Sequence, residues 1–268
     1  MTLNALSSAH ILGNNILEFS CVLWYIFNYN HISEVIMKRF LSFLMVLCLV
    51  LAAGSLAFAE EEKTTIICIG DSLTFGVIPN TAGKRDLTYP DVLAGLLGDG
   101  YEVQNLGKPG HSLTEAGVCY LKRPEYQQSI DAAADMYIIM LGTNDANLWD
   151  KWDAEAYEND LRKVVATYRE ANPDTIIVLI APPTVLPDEK TGEIKMDLSL
   201  LEGFIHDTVQ KVAEENDALF LDMFAETTEN PEWIGSDGIH FTQEGYEAFG
   251  NFVYERIKDV LGIQDAAA

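Results

Sequence analysis

Five short apolar runs, each followed by a longer segment of different periodicity, constrain the fold of this chain more than any other feature. The runs are rich in β-branched residues and are apolar at successive positions, which is typical of strands buried on both faces of a sheet. They lie at 65–69, 101–106, 136–141, 175–180 and 218–221. We therefore predict five buried strands.

The segments between these runs have the spacing of amphipathic helices. Apolar residues recur at helical intervals over 157–168, 201–212 and 246–260, and Asp153 is placed to cap the first of these helices. Alternating strands and helices form a parallel sheet covered by helices on both faces, with ligands bound beyond the carboxyl ends of the strands. The sequence thus predicts one α/β domain. The irregular segment 182–198 follows the fourth strand, where it would form a substrate wall, a lid or a solvated loop.

The N-terminal part of the chain has the three regions of a secretory signal peptide. Within residues 37–59, the basic pair Lys38 and Arg39 precedes an apolar run that ends in small residues at Ala59. We predict cleavage after Ala59, a secreted mature domain at 60–268, and no stable membrane association afterwards. An uncleaved N-terminal membrane anchor is the alternative, since 20 residues can cross a bilayer.

Residues 1–36 place a mixed apolar segment in front of the basic pair, where a signal peptide should begin. We expect them to be a spurious extension, with translation starting at Met37.

Charge and cysteine content exclude several classes of protein. The net charge of −24 opposes binding to nucleic acids and to anionic lipid surfaces. In the predicted mature domain only Cys68 and Cys119 remain, and Cys68 lies within a predicted strand. Free buried thiols are therefore expected rather than a disulfide.

Short polar blocks follow the first three predicted strands. Ser72 stands directly after the first strand, where the N-terminus of a following helix stabilises negative charge. Gly107 follows the second strand and offers an unobstructed backbone N–H, and Asn144 follows the third and offers a side-chain amide. Each block taken alone is also compatible with an ordinary turn.

A fourth block follows the fifth strand and contains Asp237 and His240. A carboxylate three residues before an imidazole can bind one ring nitrogen and leave the other free as a general base. A metal site is the competing interpretation, but no second His or Cys lies at ligand spacing. The glycines around Gly107 also lack the spacing of a dinucleotide-binding loop. We predict neither a metal nor a cofactor.

These four blocks, in this order and each after a strand, resemble those of the SGNH (GDSL-type) hydrolase superfamily over residues 65–257. The resemblance implies a flavodoxin-like three-layer α/β/α sandwich and a serine esterase. It also implies that Ser72 is the nucleophile, His240 the base and Asp237 the residue that orients His240. The oxyanion hole would consist of the backbone N–H groups of Ser72 and Gly107 and the side chain of Asn144.

Three tryptophans flank the predicted catalytic blocks, namely Trp149, Trp152 and Trp233. Aromatic faces at the edge of a site suit sugar rings, although such rings also cap helices or fill the core. We expect hydrolysis of O-acyl esters, O-acetyl in particular, on a carbohydrate, either a small molecule or a polysaccharide. The alternatives are lysophospholipids or other short acyl esters and, in a different class, a non-catalytic carbohydrate-binding protein.

Overall fold

The computed structural model describes residues 36–46, 63–79, 87–147 and 151–263. The chain divides into two compact units, Met1–Glu61 and Glu62–Ala268. In the first unit residues 36–46 are helical. Across the described ranges, no helix has the length and apolar character needed to cross a membrane. The remainder of the predicted extension and signal peptide lies outside the described residues, so the start at Met37 and the cleavage after Ala59 stay predictions.

The second unit is built on a five-stranded parallel sheet with the order β2-β1-β3-β4-β5. This arrangement confirms the predicted α/β fold, and each strand lies within one or two residues of its predicted position. The strands are β1 Thr64–Gly70, β2 Tyr101–Asn105, β3 Met136–Met140, β4 Ile176–Ala181 and β5 Leu219–Asp222.

Helices cover both faces of the sheet. Connecting turns of 3-10 helix lie at Tyr120–Lys122, Asp145–Asn147 and Pro231–Trp233, and a π-helical turn spans Leu201–Ile205. The α-helices are α1 Ser72–Phe75, α2 Tyr89–Leu97, α3 Pro124–Asp131, α4 Ala154–Ala171, α5 Leu198–Leu200, α6 His206–Glu215, α7 Met223–Glu229 and α8 Gln243–Ile257.

Two hydrophobic cores, one on each face, make the unit a three-layer α/β/α sandwich, as the resemblance implied. One core joins Ile67 and Ile69 of β1 to the buried residues of α3, α4 and α6. The other joins Ile66 and Cys68 of the same strand to α2 and α8. Successive side chains from Ile66 to Ile69 therefore enter opposite cores, which explains why this part of β1 is apolar at every position.

The ends of the helices follow from local sequence. Asp153 caps α4 as predicted, because its Oδ1 accepts a hydrogen bond from the Ala156 N–H at 3.0 Å. The predicted stripe over 246–260 is too long, since α8 ends at Ile257 and Val260 is 45% exposed in the turn beyond it. Cys68 and Cys119 are free and buried, as expected.

A histidine and two carboxylates join the start of α6 to the end of β5. His206 Nε2 lies 3.1 Å from Asp222 Oδ2, and its Nδ1 lies 3.3 Å from Asp207 Oδ1. The ring also packs edge-on against Phe220. Burial lowers the pKa of His206, but the hydrogen bonds to Asp222 and Asp207 outweigh this effect, so that its pKa is raised. His206 therefore has a structural role, because it links α6 to β5.

We predict that His206→Gln destabilises the fold more at acid than at alkaline pH. A histidine whose pKa is raised by folding stabilises the protein fully below its unfolded value of about 6.5 and loses that contribution as the pH rises through the folded value. The expected loss is roughly 0.5–1 kcal/mol at pH 5.5 and smaller at pH 9, measured by urea unfolding. An equal loss at both pH values would show that the charge of His206 contributes nothing.

Candidate active site

The loop between β1 and α1 positions Ser72. Asp71 caps α1, with its Oδ1 accepting from the Leu73 N–H at 2.9 Å, so Ser72 is the first residue of the helix. The backbone N–H of Ser72 therefore belongs to the helix N-terminus, where N–H groups lack intrahelical acceptors. Gly70 is required at this turn, because a Cβ there would collide with Thr74 Oγ1 and the Met140 carbonyl oxygen.

The structure brings Ser72, His240 and Asp237 together in one hydrogen-bonded chain. Ser72 Oγ lies 2.8 Å from His240 Nε2, and His240 Nδ1 lies 2.7 Å from Asp237 Oδ2. A proton on Nδ1 directed at Asp237 leaves the Nε2 lone pair facing the Ser72 hydroxyl. The arrangement can therefore transfer the hydroxyl proton to the imidazole.

Backbone groups hold Asp237 in its ionised form. Its Oδ1 accepts from the N–H groups of Ile239 and His240 at 3.0 and 2.9 Å. Burial raises the pKa of Asp237, but the hydrogen bonds from His240 and from these two backbone groups outweigh it, and the pKa is lowered. Gly238 has the left-handed φ of 75°, and a Cβ there would collide with the Leu186 carbonyl.

Asn144 lies beside the cap of α1. Its Nδ2 donates to Asp71 Oδ2 at 2.9 Å and to the His111 carbonyl oxygen at 3.1 Å. The neighbouring Asp145 is fully buried and accepts from the backbone N–H groups of Leu113 and Thr114. Asp145 therefore fixes the loop whose carbonyl orients the Asn144 amide.

Gly107 packs directly against α1. A Cβ on Gly107 would collide with the backbone of Phe75, so only glycine fits this approach. The Gly107 N–H donates to Asn105 Oδ1 at 3.0 Å, and Asn105 Nδ2 in turn donates to the Thr74 carbonyl oxygen at 2.8 Å. The predicted donors Gly107 and Asn144 thus both have acceptors inside the protein, which an incoming oxyanion would have to share or displace.

A cavity of about 240 Å³ opens onto Ser72, Asn144 and His240. The rest of its lining is mostly apolar and comes from Val77, Pro109, Gly110, Thr143, Met196 and Ile239. Met196 belongs to the segment 182–198, so at least this part of the segment forms a wall of the cavity.

Two of the three tryptophans predicted to form a substrate wall, Trp152 and Trp233, are not in the lining of this cavity. Trp152 packs against Tyr157 and Phe204, with ring centroids 5.4 and 5.7 Å away, and Trp233 packs against the core that contains α8. Both rings are half-buried and serve the core, which was the alternative interpretation. Trp149 lies outside the described residues.

Sequence reasoning missed three polar residues that support the site, Asp71, Asn105 and Asp145. Asp71 is 1% exposed and Asp145 is fully buried, and all three bind groups on neighbouring segments of the chain. Each lies within two residues of Ser72, Gly107 or Asn144 in the sequence. The signal that could have found them is an acidic or amide residue placed where an apolar strand ends. Over the described ranges, no three His, Cys, Asp or Glu side chains cluster as metal ligands.

Comparison with known proteins identifies the family. The family model for the GDSL-like lipase/acylhydrolase family matches residues 68–248. The chain belongs to this family of carboxylic ester hydrolases. Among curated proteins it is similar to an acetylxylan esterase of Xylanibacter ruminicola, with 24% identity over 218 residues that cover 76% of this chain and 45% of the relative. The chain thus spans less than half the length of that relative.

Solved structures of an acetylesterase and of a lipase/acylhydrolase share the fold. A carbohydrate acetylesterase from Sinorhizobium meliloti superposes with a TM-score of 0.60 at 22% identity, covering 74% of this chain and 100% of that one. The lipase/acylhydrolase from Enterococcus faecalis gives a TM-score of 0.59 at 23% identity, covering 75% and 99%. At these identities the likeness supports the three-layer fold.

We predict that Asp71→Asn stabilises the protein at neutral pH relative to acid pH. Burial raises the pKa of Asp71 from 3.8 to about 6, although hydrogen bonds from Leu73 and Asn144 and the charge of His240 oppose this rise. Because the folded value exceeds the unfolded one, stability falls as the pH rises from about 4 to 6, by roughly 3 kcal/mol. Asparagine removes this ionisation.

The measurement is the free energy of unfolding at pH 4.5 and 7.5. The free energy of unfolding of the variant minus that of the wild type should be about 1–3 kcal/mol larger at pH 7.5 than at pH 4.5. Asp99→Asn, which removes a carboxylate at the surface, is the matched control. A difference that does not change with pH would contradict a buried charge at Asp71.

Proposed function

We propose that this protein is a secreted serine esterase that removes O-acetyl groups from carbohydrates. The observation that carries the proposal is the continuous chain from Ser72 Oγ through His240 to Asp237, with distances of 2.8 and 2.7 Å, at the wall of a cavity. The signal-peptide pattern at 37–59 supports export.

Ser72 attacks the ester carbonyl while His240 Nε2 accepts the hydroxyl proton. Asp237 keeps the proton on His240 Nδ1 and stabilises the imidazolium that forms. His240 then protonates the leaving alcohol oxygen, and an acyl-enzyme on Ser72 remains. Water, activated by the same imidazole, attacks the acyl-enzyme and releases the acid.

The negative charge of the tetrahedral intermediate forms next to the N-terminus of α1. The backbone N–H of Ser72 donates to it, and the N–H of Gly107 and the amide of Asn144 turn part of their hydrogen bonding towards it. Asn105, Asp71 and the His111 carbonyl hold these two donors in place before the substrate arrives. These acceptors compete with the oxyanion, so the two donors stabilise it by the difference between the new hydrogen bonds and those they give up.

A short acyl group is the substrate feature that the cavity supports best. The cavity volume of about 240 Å³ is below the range of about 300–1,000 Å³ that is typical of sites for drug-sized ligands. Some of the similar proteins are named aryl esterases, but two are named for an acetylated carbohydrate, an acetylxylan esterase and a carbohydrate acetylesterase. Both names support acetyl as the acyl group and a carbohydrate as the alcohol.

We expect Ser72→Ala to lower kcat on p-nitrophenyl acetate by a factor of about 10⁴ or more, because the nucleophile is lost. The wild type should prefer acetate to octanoate and should release acetate from acetylated xylan. Ser199→Ala, which removes an exposed hydroxyl in α5, is the control and should retain full activity. Ser72-independent turnover, or none on any ester, would contradict the proposal, and binding of the glycan without turnover would favour the non-catalytic alternative.

We expect Asn144→Ala to lower kcat by a factor of about 10²–10³, because an oxyanion donor is lost. The Kd of a product sugar should change little. Asn144→Asp keeps the shape but removes the amide donor and adds a charge beside Asp71, so it should be at least as impaired. The exposed Asn251→Ala is the control for each assay. Activity within threefold of wild type in Asn144→Ala would exclude the amide from the oxyanion hole.

A further inference from the structure

The segment 182–198, here called the strap, is bound at both ends to loops that carry site residues. Near its start, the Leu186 N–H donates to the Gly238 carbonyl at 2.8 Å, and the Glu189 N–H donates to the Ser236 carbonyl at 2.9 Å. At its far end, the Asp197 N–H donates to the Ala146 carbonyl at 2.9 Å. The strap therefore connects the loop of Asp237 and His240 with the loop of Asn144.

A carboxylate organises the middle of the strap. Asp188 is 8% exposed, and its Oδ1 accepts from the backbone N–H groups of Lys190 and Thr191 at 2.9 and 3.0 Å. Its Oδ2 accepts from Lys195 Nζ at 2.6 Å. The hydrogen bonds of Asp188 and the ion pair with Lys195 close the strap into a defined turn just before the residue that reaches the cavity.

Met196 is the strap residue that lines the cavity. It lies between Lys195 and Asp197, both of which are held by the bonds described above, and its side chain is 8% exposed. Ile194, two residues earlier, is 41% exposed and is not part of the cavity lining.

The cavity that Met196 lines also opens onto the nucleophile. Ser72 Oγ carries the acyl group in the acyl-enzyme, and Ser72 and Met196 both belong to the cavity lining. An acyl group bonded to Ser72 therefore occupies the space that Met196 helps to enclose.

We propose that Met196 limits the length of the acyl chain that the enzyme accepts, and that the hydrogen-bonded strap fixes the position of this barrier. The inference rests on the proposed esterase function and assigns the acyl specificity of that site to a residue outside the four sequence blocks. Replacing the thioether by a shorter side chain lengthens the apolar space without removing a hydrogen bond of the strap.

The experiment compares kcat/KM for p-nitrophenyl acetate, butyrate and octanoate in the full chain. In Met196→Ala we expect the ratio of octanoate to acetate to rise at least tenfold, since each additional buried methylene contributes about a fourfold factor. Met196→Val, a milder truncation that retains more packing, should give an intermediate rise. Ile194→Ala, on the same strap but outside the lining, should change the ratio less than twofold.

The outcomes separate this inference from the proposed function. Ser72-dependent hydrolysis with an unchanged chain-length ratio in both Met196 variants would overturn the role of Met196 and leave the esterase assignment intact. An equal rise in Ile194→Ala would also overturn it, because loosening of the strap would then explain the effect. A wild type without Ser72-dependent hydrolysis would overturn both proposals. Thermal unfolding of each variant checks that the compared proteins are folded. If Met196→Ala does not fold, the chain-length ratio of Met196→Val decides whether Met196 limits the acyl chain.

Discussion

The parallel pairing of β1 with β3 places Gly70 opposite Met140 and brings the loops after these two strands side by side. Ser72 lies on the first loop and Asn144 on the second, so their proximity follows from strand register. Both strands are covered on both faces, which leaves the carboxyl edge of the sheet as the accessible place for polar chemistry. The remaining site residues approach this edge from the loops after β2 and β5.

Holding these loops together requires polar groups in places that water cannot reach. Asp71 and Asp145 are almost completely buried, and burial raises the pKa of both carboxyls. Their hydrogen bonds to neighbouring loops compensate part of the desolvation cost. The two buried carboxylates therefore lower the stability of the protein, but they fix the positions of Asn144 and of the loop that contains Leu113 and Thr114. Such a cost is common where a site must be preorganised.

Sequence patterns predicted the strands and the helices on both faces of the sheet because these depend on periodicity, and the roles of Ser72, Asp237 and His240 came from the resemblance of short local blocks to a known family. They could not predict what depends on packing between distant segments. The burial of Trp152 against Tyr157 and Phe204 is one example. The hydrogen bond from the Gly107 N–H to Asn105 Oδ1 is a second example. Two residues in one loop can adopt many geometries until α1 packs against them.

Ser72 and His240 are 168 positions apart in the chain, yet their side chains are in hydrogen-bond contact. The entropy of closing so long a loop is lost before the contact can form, so we expect this contact to form after the local helices. Between the two residues the chain must complete four further strands and their crossovers. Recovery of catalytic turnover during refolding would therefore report the assembly of the whole sheet, whereas circular dichroism would respond earlier, to helices formed locally.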